Sequence, residues 1–539
     1  MTYILAYDIG TTGVKTCLFE IGETVEQISY ASRGYGLYTL PNGGVEQHAD
    51  EWWQAMREST KEAIAGSAVR ADEIDGISFC SQMQGLVLVD EEGAPVRHPM
   101  SYMDQRASDV MEKGIGEGLK IAGMNAKKLI RSLRITGAVS GSVKDPMWKY
   151  LWVKEHEPEV FAKARWWLDV KEYLIGRMTG EYVMTEDSAF ATMLYDPRSD
   201  MKCWSVELCD MFGVDVVHLP KIIKTTDIAG RLRKEQAEEL GLAAGTPVFG
   251  GGGDATLIGI GTGCVRMGDT HIYCGTSGWV STIVDKQVVD TSAMIASIVG
   301  AQDGKFNYFA EMETAGKCLE WVKDHLALDE IGIYLEKRDV TDERTEMEKA
   351  YTSLYEYMSE VISGCPAGAG GVIFTPWLHG NRCPFEDPSA AGMFFNISLD
   401  TGKTQMIRAV VEGVCFHLRW MLEEQDKKVS TSDVIRFCGG GALSSVTAQI
   451  LADIIKRPVE VVPMPQNVGS VGAALTAAAG LGIISGIEGA AGLTRPDRRF
   501  EPDAGNAAVY DRNYVVFRKL YTSNKKNFAL MNNAEVQDG

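Results

Sequence analysis

Short apolar runs with strand-like composition occur in two similar pairs, one at the N-terminus and one near the middle of the chain. A four-residue turn separates the runs of each pair, Gly10–Gly13 in the first and Gly275–Gly278 in the second. Such runs around a Gly/Thr turn predict β-hairpins. The turns lie about half the chain length apart, which predicts two related halves whose turns face each other, with chance recurrence as the alternative. The four runs are 3–9 and 14–20, then 270–274 and 279–284.

The remaining pattern mixes helical and strand periodicity. Because helices and strands alternate throughout, it predicts an α/β protein. The glycine run Gly250–Gly253 predicts a boundary between a domain of residues 1–250 and a domain of residues 251–539. The charged segment 329–360 is interpreted as a helical surface elaboration. The other predicted helices are 51–65, 145–156, 166–178, 404–424 and 446–456, and the other predicted strands are 76–80, 85–89 and 434–437.

Composition and charge exclude several classes of protein. Apolar residues make up 45% and charged residues 23% of the 539 positions, which is ordinary for a globular protein. The net charge of −20 argues against binding to nucleic acid or to an anionic membrane, because both need basic surfaces. The uncharged stretch 461–487 contains Pro463 and Pro465 and many small residues. It predicts a small-residue helix packed against another backbone, and it is a poor membrane span.

The cysteines and the N-terminus predict a cytoplasmic location. The eleven cysteines are odd in number and irregularly spaced, which is typical of reduced thiols. The first residues lack the basic region of a signal peptide and reach an acid at Asp8. The oligomeric state is left open, with a homodimer as one option.

The first candidate for chemistry is the segment Asp8-x-Gly10-Thr11-Thr12-x-x-Lys15. A carboxylate at the end of a buried strand is costly unless it binds something, such as hydrated Mg²⁺. The turn beside it offers successive amides and hydroxyls for phosphate oxygens. The alternative is an aspartate that only stabilises its own turn.

Glycine-rich segments supply two further candidates. Four glycines precede Asp254 at the start of a predicted helix, where an aspartate serves either as a helix N-cap or as a catalytic group. The run Gly439-Gly440-Gly441-Ala442 lies between a strand and a helix, where a flat base could lie against bare backbone.

Two polar segments complete the set of candidates. Their amide, carboxylate and guanidinium groups suit a polyhydroxylated substrate; the alternative is an ordinary polar loop with a surface ion pair. The segments are Ser81-Gln82-Met83-Gln84-Gly85 and Asp104-Gln105-Arg106.

Taken together, these residues resemble the FGGY family of carbohydrate kinases, within the actin/hexokinase/Hsp70 ATPase superfamily. Residues 146–156 match the first family signature except at its opening position, Lys144, and residues 392–412 match the second with Asn396 where glycine is usual. Within the family the motifs are most similar to those of xylulokinases, although Gln84 stands where His is usual and Tyr102 where Trp is usual.

The resemblance implies two ribonuclease-H-like domains flanking a deep cleft, with the sugar on the first and ATP mostly on the second. It implies Asp254 as the general base and Asp8 with Asp254 as the groups that hold Mg²⁺. ATP and Mg²⁺ are the implied cofactors, and a small sugar is the implied partner. The implied sugar-binding residues are Gln82, Met83, Gln84, Asp104, Arg106 and Asp254, and the implied ATP- and phosphate-binding residues are Gly10, Thr11, Thr12, Lys15, Gly275, Thr276, Ser277, Gly440, Gly441 and Ala442.

The predicted activity is therefore ATP-dependent phosphorylation of a small sugar or polyol, with D-xylulose as the first candidate. The alternatives within the family are kinases of gluconate, an alditol or another ketose. The alternatives of another class are a non-catalytic actin- or Hsp70-like protein, which lacks the Gln82, Asp104 and Arg106 constellation, and a sugar-sensing regulator, which retention of both Asp8 and Asp254 argues against.

Overall fold

Two β-sheets organise the protein in a computed structural model that describes residues 1–121, 123–326 and 346–532. The first sheet has the order β5-β6-β4-β1-β2-β3, with β7 paired to β4, and consists of β1 (Thr2–Ile9), β2 (Gly13–Ile21), β3 (Val25–Gly34), β4 (Ile74–Ser81), β5 (Ile228–Arg231), β6 (Pro247–Phe249) and β7 (Gly252–Gly253). The second has the order β10-β11-β12-β9-β8-β13-β14-β15 and consists of β8 (Thr270–Cys274), β9 (Gly278–Val284), β10 (Val289–Asp290), β11 (Ile295–Val299), β12 (Phe306–Met312), β13 (Ile435–Cys438), β14 (Val459–Val461) and β15 (Arg498–Phe500).

The two sheets share a central topology. In the first, β1 and β2 form an antiparallel hairpin and β4 lies parallel to β1. In the second, β8 and β9 form the hairpin and β13 lies parallel to β8. Both predicted hairpins are confirmed, and the orders β3-β2-β1-β4 and β12-β9-β8-β13 are the same.

Helices cover both sheets, and those predicted at 51–65, 145–156, 404–424 and 446–456 are confirmed as α1, α4, α13 and α14. The described helices are α1 (Ala49–Ala65), α2 (Ser108–Gly116), α3 (Ala126–Thr136), α4 (Pro146–His156), α5 (Pro158–Phe161), α6 (Val170–Thr179), α7 (Glu186–Ala191), α8 (Val206–Phe212), α9 (Lys234–Leu240), α10 (Asp254–Gly261), α11 (Gly316–Leu326), α12 (Glu346–Ser363), α13 (Lys403–Asp426), α14 (Ser445–Ile455), α15 (Val468–Gly480), α16 (Ala490–Leu493) and α17 (Ala507–Asn532). Short paired strands are Tyr38–Thr39 with Val45–Glu46, Val87–Val89 with Trp166–Leu168, Lys120–Ile121 with Met124–Asn125, Val183–Thr185 with Lys221–Ile223, Tyr195–Asp196 with Cys203–Trp204, and Ile373–Thr375 with Met393–Phe395.

The predicted helix 166–178 is wrong in its first turn. Trp166–Leu168 is a strand that pairs antiparallel with Val87–Val89, and α6 begins only at Val170. Asp169 separates the two elements because its Oδ1 accepts the Val170 N–H at 2.8 Å, as an N-cap side chain does. Of the predicted charged segment, residues 346–360 lie in α12 and residues 329–345 lie outside the described residues.

Helices α10 and α15 lie between the two sheets. They pack against the first sheet through a shared apolar cluster, and Ile258 of α10 and Val468 of α15 belong to a second apolar cluster with Trp279 of the second sheet. The two helices approach closely: a Cβ on Gly472 would lie 2.1 Å from the Leu257 carbonyl oxygen. The predicted small-residue helix packed against another backbone is thus confirmed. Among the described residues, no helix has the length and apolar character needed to cross a membrane.

Candidate active site

Asp8 lies on β1 beside the first hairpin turn. The hairpin register places it opposite Lys15, whose Nζ lies 3.6 Å from Asp8 Oδ2 and donates to the Gln466 carbonyl at 2.8 Å. The carboxylate therefore interacts with the neighbouring strand rather than with its own turn, and 19% of its side chain stays exposed. A Cβ on Gly469 would lie 3.2 Å from Asp8 Oδ2, so the N-terminus of α15 comes close to this carboxylate.

The carbonyl groups of the first turn accept hydrogen bonds from the protein itself. The Gly10 N–H donates to the Gly13 carbonyl at 2.9 Å, and the Tyr35 hydroxyl donates to the carbonyls of Gly10 and Gly13. Gln47 Nε2 donates to the Thr11 carbonyl at 2.7 Å. Because the protein satisfies the carbonyls and the Gly10 N–H, the amides and hydroxyls of Thr11 and Thr12 are the groups of the turn that can meet a phosphate.

The second turn contacts the glycine run 439–441. The carbonyls of Gly275 and Thr276 accept backbone N–H groups from the start of α11. A Cβ on Gly441 would lie 2.8 Å from Cys274 Sγ, and one on Gly440 would lie 2.9 Å from the Tyr355 hydroxyl. A side chain at either position would collide with these atoms, so glycine is what allows the run to pack closely against Cys274 and Tyr355. Ser277 and Ala442 belong to the same two segments.

Asp254 is the first residue of α10, and Gly253 occupies the N-cap position. Asp254 Oδ1 accepts the Ala255 N–H at 2.8 Å. The pKa of Asp254 is raised to about 7, chiefly by burial; the Ala255 N–H opposes this rise, and the negative charges of Asp8 and Glu311 add to it. A carboxylate with this pKa can take up or release a proton near neutral pH.

Gln82 and Met83 connect β4 to the Asp254 segment. The Gln82 side chain is 7% exposed; its Nε2 donates to Gln47 Oε1 at 3.1 Å, and its buried Oε1 has no hydrogen-bond partner among the described residues. The Met83 side chain lies against Gly253, where an added Cβ would be 2.0 Å from Met83 Sδ. An unpaired buried amide oxygen marks a position at which a ligand hydroxyl can donate.

Gln84 adopts a left-handed backbone conformation, with φ of 64°. Its carbonyl accepts a hydrogen bond from Lys149 Nζ at 2.7 Å. Lys149 is fully buried on α4, and burial lowers its pKa to about 8. The backbone at Gln84 is thus fixed by a contact that does not involve its side chain.

Asp104 and Arg106 form a buried ion pair rather than a surface pair. Asp104 is fully buried, and its Oδ2 accepts Arg106 Nη2 at 2.7 Å and the Val45 N–H at 2.7 Å. Arg106 also bonds Glu46 at 2.8 Å and lies over the Trp152 ring. The pair is therefore held in one position by Val45, Glu46 and Trp152.

Further functional groups escaped the sequence prediction. Gln47 orients Gln82, and Asp187 Oδ2 accepts the Gly253 N–H at 2.8 Å, next to Asp254. Glu311 on β12 bonds Arg382 at 2.7 Å. Gln47 lies between Glu46 and His48, and Asp187 between Glu186 and Ser188, so neither stands out in the sequence and only the fold shows that they converge.

Groups from both halves of the chain face one another around Thr11, Tyr102, Asp254 and Glu311. The surface around these four residues is termed the cleft. The Tyr102 hydroxyl lies 3.3 Å from Thr11 Oγ1; burial raises the pKa of Tyr102, and the nearby charges of Asp254 and Glu311 contribute to the rise. Asn307 on β12 donates to the Ala255 carbonyl at 3.1 Å, which joins the second sheet to α10. Of the predicted metal residues, Asp254 belongs to the cleft and Asp8 lies near enough for its charge to act on Asp254. Of the predicted nucleotide residues of the second half, Gly441 lies against Cys274 and Gly440 against Tyr355.

Two sheets of one topology, with two helices between them, define a two-domain α/β fold of the actin/hexokinase type. The chain matches the FGGY family of carbohydrate kinases, N-terminal domain, over residues 3–261 and the C-terminal domain of the same family over residues 271–481. It therefore belongs to the FGGY family and is a carbohydrate kinase.

Individual relatives carry more than one substrate name. A xylulose kinase of Bacillus subtilis is 29% identical over 535 residues, covering 97% of this chain and 98% of the relative. A gluconokinase of the same species is 28% identical over 524 residues, covering 96% and 95%. The crystal structure of a ligand-bound xylulose kinase from Lactobacillus acidophilus has a TM-score of 0.82 at 24% identity and covers 98% of this chain and 100% of that one.

Proposed function

We propose that this kinase transfers the γ-phosphoryl group of ATP to a hydroxyl group of a small sugar, with D-xylulose as the first candidate and D-xylulose 5-phosphate as the product. Residues 1–250 would hold the sugar and residues 251–539 the nucleotide. The observation that carries the proposal is Asp254, a carboxylate at the start of α10 whose pKa is raised to about 7. It belongs to the cleft, which also includes Thr11 of the first hairpin turn.

Asp254 acts as the general base. Its carboxylate accepts the proton of the sugar hydroxyl as that oxygen attacks the γ-phosphorus, and the bond from phosphorus to the ADP oxygen breaks. A base with a pKa near the working pH combines a useful ionised fraction with enough basicity to accept the proton. Gln82 Oε1, buried and unpaired, accepts a hydrogen bond from another sugar hydroxyl. Met83, Gln84, Asp104 and Arg106 form the remaining sugar wall.

The residues present fit a magnesium ion. Asp8 and Asp254 are oxygen donors of the kind that Mg²⁺ prefers, and the Asp8 charge contributes to raising the pKa of Asp254. When bound, Mg²⁺ neutralises charge on the phosphate oxygens. Asp8 and Asp254 would hold it, while Lys15 balances part of the Asp8 charge at 3.6 Å.

The two turns hold the phosphates of ATP. Amides at Thr11 and Thr12 and at Thr276 and Ser277 donate to phosphate oxygens, with Lys15 close to the first turn. Gly10 and Gly275 shape the two turns, because their N–H groups donate to the carbonyls of Gly13 and Ser277. Gly440, Gly441 and Ala442 line the nucleotide pocket, where side chains larger than these would meet Cys274 or Tyr355.

Coupled ADP release with a panel of ketopentoses, alditols and aldonates tests the substrate. We expect D-xylulose to give the highest kcat/KM. A different ketose or an alditol at the top would replace D-xylulose, and no ADP release with any sugar would favour a non-catalytic actin- or Hsp70-like or sugar-sensing protein.

The Asp254→Asn variant tests the mechanism. The amide keeps the shape but cannot accept the proton, so we expect kcat to fall by about 10²–10⁴-fold. Sugar binding, followed by protein fluorescence, is expected to remain within about threefold, since the hydrogen-bonding wall is intact. Unchanged turnover would contradict the role of Asp254.

We also propose a cytoplasmic location. All eleven cysteines lie among the described residues as thiols, and all but Cys203 are buried. Buried thiols that form no cross-link suit a reducing compartment.

A further inference from the structure

Four charged side chains from both domains meet at the cleft, and they pair with one another. Lys144 precedes α4 in the first domain, and its Nζ lies 3.5 Å from Glu313 Oε1 in the second. Arg382 Nη1 lies 2.7 Å from Glu311 Oε2, and its Nε lies 3.9 Å from Glu313 Oε1. Two cations thus face two carboxylates, and the group as a whole carries no net charge.

This group acts on the proposed catalytic centre. The negative charges of Glu311 and Glu313 both contribute to the raised pKa of Tyr102, whose hydroxyl lies 3.3 Å from Thr11 Oγ1. Glu311 also contributes to the raised pKa of Asp254. Both carboxylates are therefore within electrostatic reach of a molecule held between Tyr102 and Asp254.

The other basic side chains around the cleft are also engaged. Lys15 interacts with Asp8 and the Gln466 carbonyl, and Arg106 with Asp104 and Glu46. Lys149 is buried and donates to the Gln84 carbonyl. Asp254 has no such cation partner among the described residues, so its ionised carboxylate would face a negatively charged substrate without a neutralising salt bridge.

We infer that Glu311 and Glu313 are specificity-determining carboxylates, which keep Arg382 and Lys144 occupied and so direct the kinase to uncharged sugars and against sugar acids. A sugar acid would have to displace one glutamate from its cation or add a further negative charge beside Asp254, and like charges at such close range are costly. An uncharged sugar meets neither penalty. The inference rests on the proposed sugar kinase activity and narrows its substrate class.

A matched pair of ligands isolates the effect of a carboxylate charge on binding. D-gluconate and D-glucitol share a six-carbon polyhydroxyl chain and differ at C1, a carboxylate in the first and a hydroxymethyl group in the second. We expect wild-type enzyme to be inhibited by D-glucitol more tightly than by D-gluconate when it phosphorylates its best substrate from the panel.

The variants Glu311→Gln and Glu313→Gln release a cation without changing side-chain shape. Each is expected to move the ratio of the two inhibition constants toward D-gluconate by about tenfold, the scale of one favourable charge contact. Lys144→Met is expected to move the ratio the other way or leave it unchanged. Glu423→Gln, on α13 and paired with Arg419 at 2.8 Å, is the matched control outside the cleft and is expected to leave the ratio unchanged.

The possible failures are distinguishable. A wild-type preference for D-gluconate, or an unchanged ratio in both glutamate variants while D-glucitol still binds, would overturn the inference without touching the kinase activity. Loss of ADP release with every sugar would overturn the proposed function instead. If one glutamine variant does not fold, the other still decides the question, since each glutamate contacts Arg382.

Discussion

At the scale of single residues, the chemistry of this kinase depends on polar groups that the protein leaves incompletely satisfied. Burial and the charges of Asp8 and Glu311 raise the pKa of Asp254 to about 7, so its carboxyl group can gain or lose a proton near neutral pH. Gln82 shows the same feature in a neutral group: its amide nitrogen is bonded to Gln47 and its buried oxygen is not bonded. A buried unpaired acceptor costs free energy in the free enzyme and regains it when a substrate hydroxyl donates.

Replacement of Gln82 by Met tests this assignment. The thioether fills the volume but accepts only weakly, so the sugar loses one hydrogen bond of about 1–2 kcal/mol, which corresponds to a rise in KM of about 5–30-fold. Steady-state kinetics with saturating ATP measure it. Gln302→Met is the matched control, because Gln302 is also buried but donates to Glu488 away from the cleft. Equal effects of both substitutions would mean that Gln82 acts only through stability.

At the scale of elements, the site depends on how α10 begins. A chain of buried side chains supports that point: Lys171 Nζ donates to Thr185 Oγ1 at 2.6 Å, Thr185 Oγ1 donates to Asp187 Oδ1 at 2.5 Å, and Asp187 Oδ2 accepts the Gly253 N–H. A Cβ on Gly252 would lie 3.0 Å from Asp187 Oδ2, so the glycine run lets the carboxylate approach the backbone. Asp187 is therefore a positioning residue for Asp254.

The variant Asp187→Ala is expected to lower kcat by about 10–100-fold, a scale known for supporting residues around reactive groups. The KM for the sugar is expected to change by less than threefold, because none of the proposed sugar residues after β4 is hydrogen-bonded to Asp187. Asp187→Asn keeps an acceptor oxygen and is expected to restore most of kcat.

The control for Asp187 is Asp196→Ala. Asp196 is equally buried, but its carboxylate bonds Arg198 within a short loop. It is expected to lower the unfolding temperature while leaving kcat within about twofold. If Asp187→Asn were as slow as Asp187→Ala, the bond to Gly253 would not be the cause.

The elements themselves were largely predictable because their signals are local. Both hairpins follow from strand-like runs around Gly/Thr turns, and α10 follows from Asp254 behind four glycines. The segment Trp166–Leu168 was missed because three apolar residues before Asp169 fit a helix as well as a strand; the pairing with Val87–Val89 decides between them and is not local. The Lys144–Glu313 contact was beyond prediction for the same reason, since it joins residues from different domains.

At the scale of the whole molecule, the charge of −20 and the local chemistry are separate matters. The acidic excess supports solubility, whereas the proposed phosphate contacts come from backbone amides in two turns of one repeated topology. The two halves of the chain are also connected by packing. Helix α15 comes late in the chain yet packs on the first sheet, so its glycines and alanines connect the two halves.

The stability of the second domain is expected to fall steeply in acid because two histidines are buried there in neutral form. Burial lowers the pKa of His271 to about 3 and that of His417 to about 4, from an unfolded value near 6.5. The folded state thus binds fewer protons, so stability is full above pH ~6.5 and declines below it. At pH ~5 each histidine costs about 2 kcal/mol.

Thermal unfolding of the full chain at pH 7.5 and pH 5.0 measures this effect. Each ring accepts an indole N–H, His271 from Trp279 at 3.1 Å and His417 from Trp377 at 3.2 Å. Glutamine can still accept but does not titrate, so His271→Gln and His417→Gln are each expected to reduce the loss of unfolding temperature in acid by about 4 °C or more. The exposed His325, replaced by Gln, is the control and is expected to leave the loss unchanged. An acid loss that is identical in all four proteins would assign it to the carboxylates instead.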